Sequence, residues 1–408
     1  MDNIAGSPVE GDNFFGRTAD VARLREVLIH HDILLLGPRR IGKTSIARAV
    51  IQVVRSEGWR AQEVNVASCS DESGFLQKLE TALKPELESL LDKAKSGARE
   101  VWQGVSGRIK SIKLPGSFGV DLKDAATDSE DWTSVANDLL RLMGQAEQPW
   151  LIYIDELPIF LFNLIRSDPQ HGVARVRRFL DWFRNDVRQL PQATQIRWLV
   201  SVSVGLDTLV QLHGMADTIN SFKHESLPAF DDDTAANMLL HLATRYALPL
   251  TLADAQSVVS AVQWPQPYYL QRVFFYLRDL VRKHPDRALA SLLQPAVDVL
   301  AQHGEDNDFH YWEQRLRLQL IPADAQHALA LLALSARTPE GQRPETLLDA
   351  LQQRLPEASP DEAKRQFIQL RDILLRDAYW QTDDSQPIRR YRFRLEPLRR
   401  WWLRRDTL

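Results

Sequence analysis

At 408 residues the chain is too long for one ordinary hydrophobic core, so two or three domains are expected. A formal charge of −4 and a pI near 6.2 exclude a globally basic nucleic-acid binder while leaving room for a local basic patch. The single cysteine, Cys69, excludes an intrachain disulfide and suits a reducing compartment; no apolar run approaches the ~20 residues of a membrane helix and MDNIAGSPVEGDN has no signal-peptide pattern, so a soluble cytoplasmic protein without membrane contact is expected.

Residues 1–12 read as a flexible N-terminus. The first strong element is Ile33 to Leu36, a buried strand, followed at once by GPRRIGKTS. Gly37 to Thr44 fits G-x-x-x-x-G-K-[ST], a turn that aims backbone N–H groups at phosphate oxygens and adds the positive end of the next helix. Ile46, Ala49, Val50 and Val53 recur at helical spacing, so the strand, loop and helix that such a cradle needs are all in place. Its nucleotide-binding residues are Gly37, Pro38, Arg39, Arg40, Ile41, Gly42, Lys43, Thr44 and Ser45, with Lys43 on the β- and γ-phosphates and the Thr44 hydroxyl on Mg²⁺. Arg39 and Arg40 either add charge for the phosphates or are simply solvated, and the solvated reading is favoured.

Residues 108–124, RIKSIKLPGSFGVDLKD, alternate apolar and polar side chains around PGS and suggest an exposed hairpin with a lysine-protected edge. Trp150 to Ile154 is another buried strand, ending in Asp155 and Glu156. Beside a phosphate cradle, Asp155 would hold Mg²⁺ and Glu156 would polarise the attacking water; alone, the pair could be a helix cap. Val173, Val176, Leu180, Phe183, Val187 and Leu190 form a helical stripe, with Arg177, Arg184 and Arg188 on another face as a solvated row or an arginine finger. A third strand runs from Arg197 to Val204, where Ser201 and Ser203 share one face; a hydroxyl there senses the γ-phosphate or is merely tolerated in the sheet.

Asp231 to Asp233 followed by TAANMLLHLATRYA reads as a capped amphipathic helix and not a metal site, and the pattern stays mostly helical to about residue 315. AQHALALLALSA, ETLLDALQQRL and DEAKRQFIQLRDILLRDA are three further helices, followed by two strands around DDSQP, the makings of a winged helix-turn-helix. Arginines between 389 and 405 interleave with Tyr391, Phe393, Trp401 and Trp402, which serves either DNA contact or internal packing; packing is weighed slightly higher.

FFGR, GPRRIGKTS, LIYIDELP, SVSVGL, LPAF, WPQPYYLQ and YRFRLEPLRRWW occur in an order that resembles the archaeal-type P-loop ATPases of the STAND and AAA+ group. The resemblance implies an α/β fold, a P-loop NTPase parallel sheet with a helical lid and a C-terminal winged-helix domain. It places the ATPase core at 13–228, the lid at 229–315 and the winged helix at 316–408. It puts Phe15, Gly16 and Arg17 beside adenine and ribose, Ser203 at the first sensor position alongside Lys43 and Glu156 in catalysis, and Pro267 against the nucleotide from the lid. ATP or ADP with Mg²⁺ is the implied cofactor. The implied activity is ATP hydrolysis in a switch or assembly ATPase with a protein effector and self-association. A DNA-engaging ATPase, such as a loader or transposition regulator, and a nucleotide-bound scaffold without turnover stay open as alternatives.

Overall fold

In the computed structural model, which describes the chain apart from residues 92–97, 112–130, 192, 204, 303–306, 384–388 and 406–408, the backbone divides into two compact units. One, the sheet unit, comprises Arg17–Gly37 and Lys43–Leu227; the other, the helical unit, comprises Met1–Gly16, Pro38–Gly42 and Pro228–Leu408.

The sheet unit is built on five parallel strands, β1 (Ile33–Gly37), β2 (Arg60–Asn65), β3 (Trp150–Asp155), β4 (Ile196–Ser203) and β5 (Lys223–Ser226), in the order β2-β3-β4-β1-β5. Every residue of β3 is buried, as expected of a strand covered on both faces. The outer strands read RAQEVN and KHES, too polar to stand out as buried runs, which is why only the three inner ones are legible from apolar content. Because β4 lies between β1 and β3, the segments following β1 and β3 emerge on either side of the end of β4. In open α/β sheets this reversal of strand order opens a crevice at the carboxyl ends, where ligands bind.

One sheet face carries an aromatic cluster in which Phe75 meets Phe179 edge to face at 4.9 Å and Phe183 meets Trp198 at 5.0 Å. The single helix expected over residues 173–190 is instead Gly172–Asp181, a π-helical turn at Trp182–Asp186, and Val187–Gln189. The wider turn lets two consecutive large rings, Trp182 and Phe183, both enter the core. Arg184 pairs with Asp217, Arg177 reaches the same carboxylate at 3.3 Å, and Arg188 donates to the Ser221 carbonyl, so this arginine row is tied down within its own unit. At 108–124 the hairpin expectation fails where it can be read: Arg108 to Ser111 close the Ala98–Ser111 helix, and Arg108 pairs with Asp138 at 2.6 Å. The remainder of that stretch lies outside the described residues.

In the helical unit, Asp231 caps the Asp232–Arg245 helix by accepting from the Thr234 N–H at 2.7 Å. Thr251 with Asp254 and Ser359 with Glu362 form capping boxes, and proline opens the helices that begin at Pro267, Pro322, Pro344 and Pro360. Strands β6 (Trp380–Asp383) and β7 (Arg390–Phe393) pair antiparallel, and Gln342 adds a bridge to Tyr391. Residues 1–12 belong to the helical unit. Asn3 donates from its backbone to the Tyr246 hydroxyl at 3.0 Å and from its side chain to the Gln271 carbonyl at 2.9 Å, and Met1 packs on the core.

One hydrophobic cluster runs from Phe230 to Trp402, so the segments expected to be lid and winged helix share a core, and the Asn307–Gln319 helix crosses the boundary expected at 315. Tyr391, Phe393, Trp401 and Trp402 all belong to this core. Arg399 is buried against Glu396 and the Ala336 carbonyl, Arg400 reaches Glu396 and Asp298, and Arg405 reaches Glu313. The C-terminal arginines and aromatics are therefore largely an internal packing surface.

Gly341, with φ +73°, precedes Gln342, which bridges to β7, and a Cβ there would lie 2.1 Å from the Tyr391 carbonyl oxygen. Gly341→Ala is expected to cost about 2 kcal/mol or more through strain and displaced backbone. Urea denaturation of variant and wild type measures this, and an equal midpoint would contradict the packing at β7.

Candidate functional site

Strand β1 ends at Gly37, and the Lys43–Ser56 helix begins on the far side of the phosphate-cradle turn. The turn uses left-handed backbone at Arg40 (φ 70°) and Gly42 (φ 102°), which curls successive N–H groups inward. Lys43 is buried and its ammonium donates to the Gly37 carbonyl at 2.8 Å, at the end of β1. One residue on, the Thr44 hydroxyl donates to Asp155 Oδ2 at 3.1 Å. A hydroxyl at the head of a helix and a carboxylate at the end of a strand, beside an ammonium, are groups that could hold Mg²⁺ shared with a polyphosphate.

Asp155 is only 6% exposed and is held from two directions. Ser201 of β4 donates to its Oδ1 while Thr44 holds Oδ2. The register explains the first bond, because Ile154 pairs with Val200 and the next residues along, Asp155 and Ser201, face the same way. Ser203 stands at the end of β4 opposite Gly37, at the base of the cradle. Glu156 follows Asp155 with φ 62° and ψ 36°, a left-handed conformation that costs a non-glycine residue about 1 kcal/mol or more and recurs at functional sites. Its half-buried side chain stands at the start of the Leu157–Ser167 helix.

The structure singles out two neighbours of Asp155. Ser201, no more prominent than Ser203 in the sequence, is the hydroxyl that binds Asp155. Tyr153 is fully buried two residues before Asp155 on the same strand face. Burial, reinforced by the Asp155 carboxylate, pushes its hydroxyl well above the usual tyrosine range and keeps it protonated. The signal was the i, i+2 spacing of Tyr153 and Asp155, masked because a tyrosine in an apolar strand reads as core.

The other expected residues divide between the units. Arg17 lies in the sheet unit, buried and paired with Asp20 at 3.0 Å. In the helical unit Phe15 lies edge-on to Phe230, with ring centres 6.4 Å apart, and 5.1 Å from His241. Gly16 has φ +71°, and a Cβ on it would stand 2.6 Å from Thr234 Cγ2, so glycine is required. Pro267 is the half-buried first residue of the Pro267–Lys283 helix.

Arg39 and Arg40 are half-buried and lie beside aromatic rings. Both belong with Pro38–Gly42 to the helical unit, where the Arg39 guanidinium lies 4.0 Å from the Tyr311 ring centre and that of Arg40 lies 4.5 Å from Tyr268. Arg40 also donates to the Gly6 carbonyl at 3.1 Å. Tyr269 accepts from Trp312 Nε1 at 3.1 Å, which anchors the Pro267–Lys283 helix within its own unit.

Ser201→Ala deprives a buried carboxylate oxygen of its donor and is expected to cost about 1.5–3 kcal/mol of stability. Urea denaturation provides the measurement; a loss below about 0.5 kcal/mol, the range of ordinary surface changes, would mean that Asp155 does not depend on β4.

No protein-family model matches the chain, and no curated protein matches it in sequence. Solved structures do match. The Walker-type ATPase PABY2304 of Pyrococcus abyssi aligns with a TM-score of 0.62 at 15% identity, over 98% of this chain and 99% of that one. The ORC2 protein of Aeropyrum pernix, in its ADPNP–ADP complexes, aligns with a TM-score of 0.56 at 12% identity, over 97% of each chain. With the cradle, the acidic strand end and the strand order already described, these likenesses give the chain the fold of the archaeal-type AAA+ P-loop ATPases.

Proposed function

We propose that the protein binds ATP with Mg²⁺, hydrolyses it, and uses the nucleotide state to move its helical unit as a switch or assembly ATPase acting on a protein effector. The observation that carries this reading is the Thr44 hydroxyl meeting the Asp155 carboxylate at 3.1 Å beside the buried Lys43 ammonium. In this reading Lys43 and the N–H groups of the turn would hold the β- and γ-phosphates, and Thr44 and Asp155 would hold the ion. When bound, Mg²⁺ supplies charge neutralisation on the transferred phosphoryl group. Glu156 orients a water and accepts its proton as the oxygen–phosphorus bond forms and the bond to the β-phosphate oxygen breaks. Ser203, at the base of the cradle, reports the γ-phosphate. Phe15, Gly16, Arg17 and Pro267 form the base and ribose contacts.

A lid that reads nucleotide must differ in its affinity for nucleotide between two states, since a ligand shifts an equilibrium only through such a difference. Tyr268, on the helix opened by Pro267, lies beside Arg40 within the helical unit. Self-association, and a C-terminal winged helix as the output element, complete the proposal. A DNA-engaging ATPase is the less favoured reading, because the C-terminal aromatics are core and most of the arginines around them have internal partners. A static nucleotide scaffold is disfavoured by the strained Glu156 beside the metal residues, since a structural cap needs no left-handed backbone.

Lys43→Ala is expected to abolish ATP binding in calorimetry, whereas Glu156→Gln should bind ATP and hydrolyse it at least about tenfold more slowly. Wild-type affinity in the first variant would overturn the ATP-site reading, and wild-type turnover in the second would remove Glu156 from the chemistry. Running the turnover assay with and without DNA at several salt concentrations separates the two ATPase readings, because stimulation through phosphate contacts weakens as salt rises.

Hydrogen exchange provides a separate test of the switch. ATP should protect the cradle and residues 264–275, and should alter exchange beyond residue 320. Protection confined to the cradle would favour the static scaffold.

A further inference from the structure

The Tyr153 hydroxyl has no role in the ATPase reading above. The side chain is fully buried on β3, on the strand face that carries Asp155. Ser201, Thr44 and Asp155 all act on its hydroxyl, yet among the described residues it makes no hydrogen bond of normal geometry. Buried polar groups are almost always paired, and an unpaired hydroxyl in a sheet is disfavoured relative to phenylalanine, which fills the same space. A tyrosine at this position is therefore accounted for by a partner that the described residues do not themselves provide.

The surroundings identify that partner. Thr44 and Ser201 each place one donor on Asp155, one per carboxylate oxygen. Each oxygen retains a second acceptor site, so the carboxylate has room for a further donor and for a metal-bound water. Mg²⁺ keeps several waters when it binds through one or two protein groups and phosphate, and those waters need acceptors. A neutral phenol can both donate to Asp155 and accept from such a water.

We infer that Tyr153 is a positioning residue for the magnesium site, its hydroxyl completing the hydrogen-bond shell of Asp155 when the ion and its waters gather on Thr44 and Asp155. The inference rests on the ATP and Mg²⁺ reading of this site and adds a residue to it. Tyr153 acts on the ion through Asp155 and a water, and it does not touch the phosphoryl group.

The test is Tyr153→Phe in the full chain, with affinities for ADP and for a non-hydrolysable ATP analogue measured by calorimetry in EDTA and in excess MgCl₂. The melting temperature in EDTA is recorded alongside. The expected result is an EDTA melting temperature equal to or above that of wild type, because no protein hydrogen bond is lost. EDTA affinity should remain within about twofold of wild type, while the Mg²⁺ enhancement of binding should fall about fivefold, the worth of one ordinary hydrogen bond. An unchanged Mg²⁺ enhancement, as expected if the hydroxyl served only a buried structural water, overturns the inference. A lower EDTA melting temperature also overturns it by assigning the hydroxyl to the fold. If wild type binds neither nucleotide in either buffer, the ATP-site reading itself fails, which is distinguishable from every outcome specific to Tyr153→Phe.

Discussion

A carboxylate buried at the end of a central strand must be given donors, because moving it out of water without them costs several kcal/mol, on the order of the whole stability margin of a domain. Asp155 takes those donors from two places, Thr44 at the head of the cradle helix and Ser201 on the adjacent strand. Three elements far apart in sequence, the Lys43–Ser56 helix, β3 and β4, thereby become mutually registered. A one-residue slip of β3 or β4 would turn Asp155 or Ser201 to the opposite face and leave the charge without its partner. The same bonds that satisfy the fold also gather the hydroxyl and carboxylate suited to a divalent cation, so stability and site geometry depend on one group.

The helical unit meets a comparable problem with a buried ion pair. Arg315 lies 3.0 Å from Asp377, both nearly inaccessible to water, and the Tyr379 hydroxyl donates to the Trp312 carbonyl at 2.6 Å close by. These contacts join the Asn307–Gln319 helix to the end of the Pro360–Arg376 helix and the start of β6, across the position where two separate domains were expected. Such a pair contributes little net stability, since desolvation offsets most of the attraction, but an alternative packing that separated the charges would be strongly penalised. The result is one core where residue patterns suggested two.

Motifs that depend on neighbours in the chain were legible. The cradle is local: a buried strand, a glycine-bearing turn and a helix that starts with Lys43 and Thr44. The acidic strand end and the capped helix after Asp231 are local as well. The polar edge strands β2 and β5 were not legible, because their pairing with β3 and β1 comes from the neighbouring strand and not from apolar content. The helix at Arg108 to Ser111 defeated a period-two reading for a related reason: Ile109 is buried on one helix face, while Arg108 finds Asp138 across the unit.

Residue type and short spacing account for the strand, glycine-bearing turn and helix around Gly37–Thr44, for the acidic end of β3, and for the C-terminal helices followed by two paired strands. Backbone turns, strand ends and helix caps are set by a few consecutive side chains. That Ser201 meets the carboxylate comes from the folded chain, since the β3–β4 register sets Ser201 beside Asp155. Tertiary structure likewise decided that Arg39 and Arg40 lie over tyrosine rings and that the C-terminal aromatics face inward. In each case the partner lies many residues away, and a side chain's role is set by what the folded chain places within a few ångströms of it.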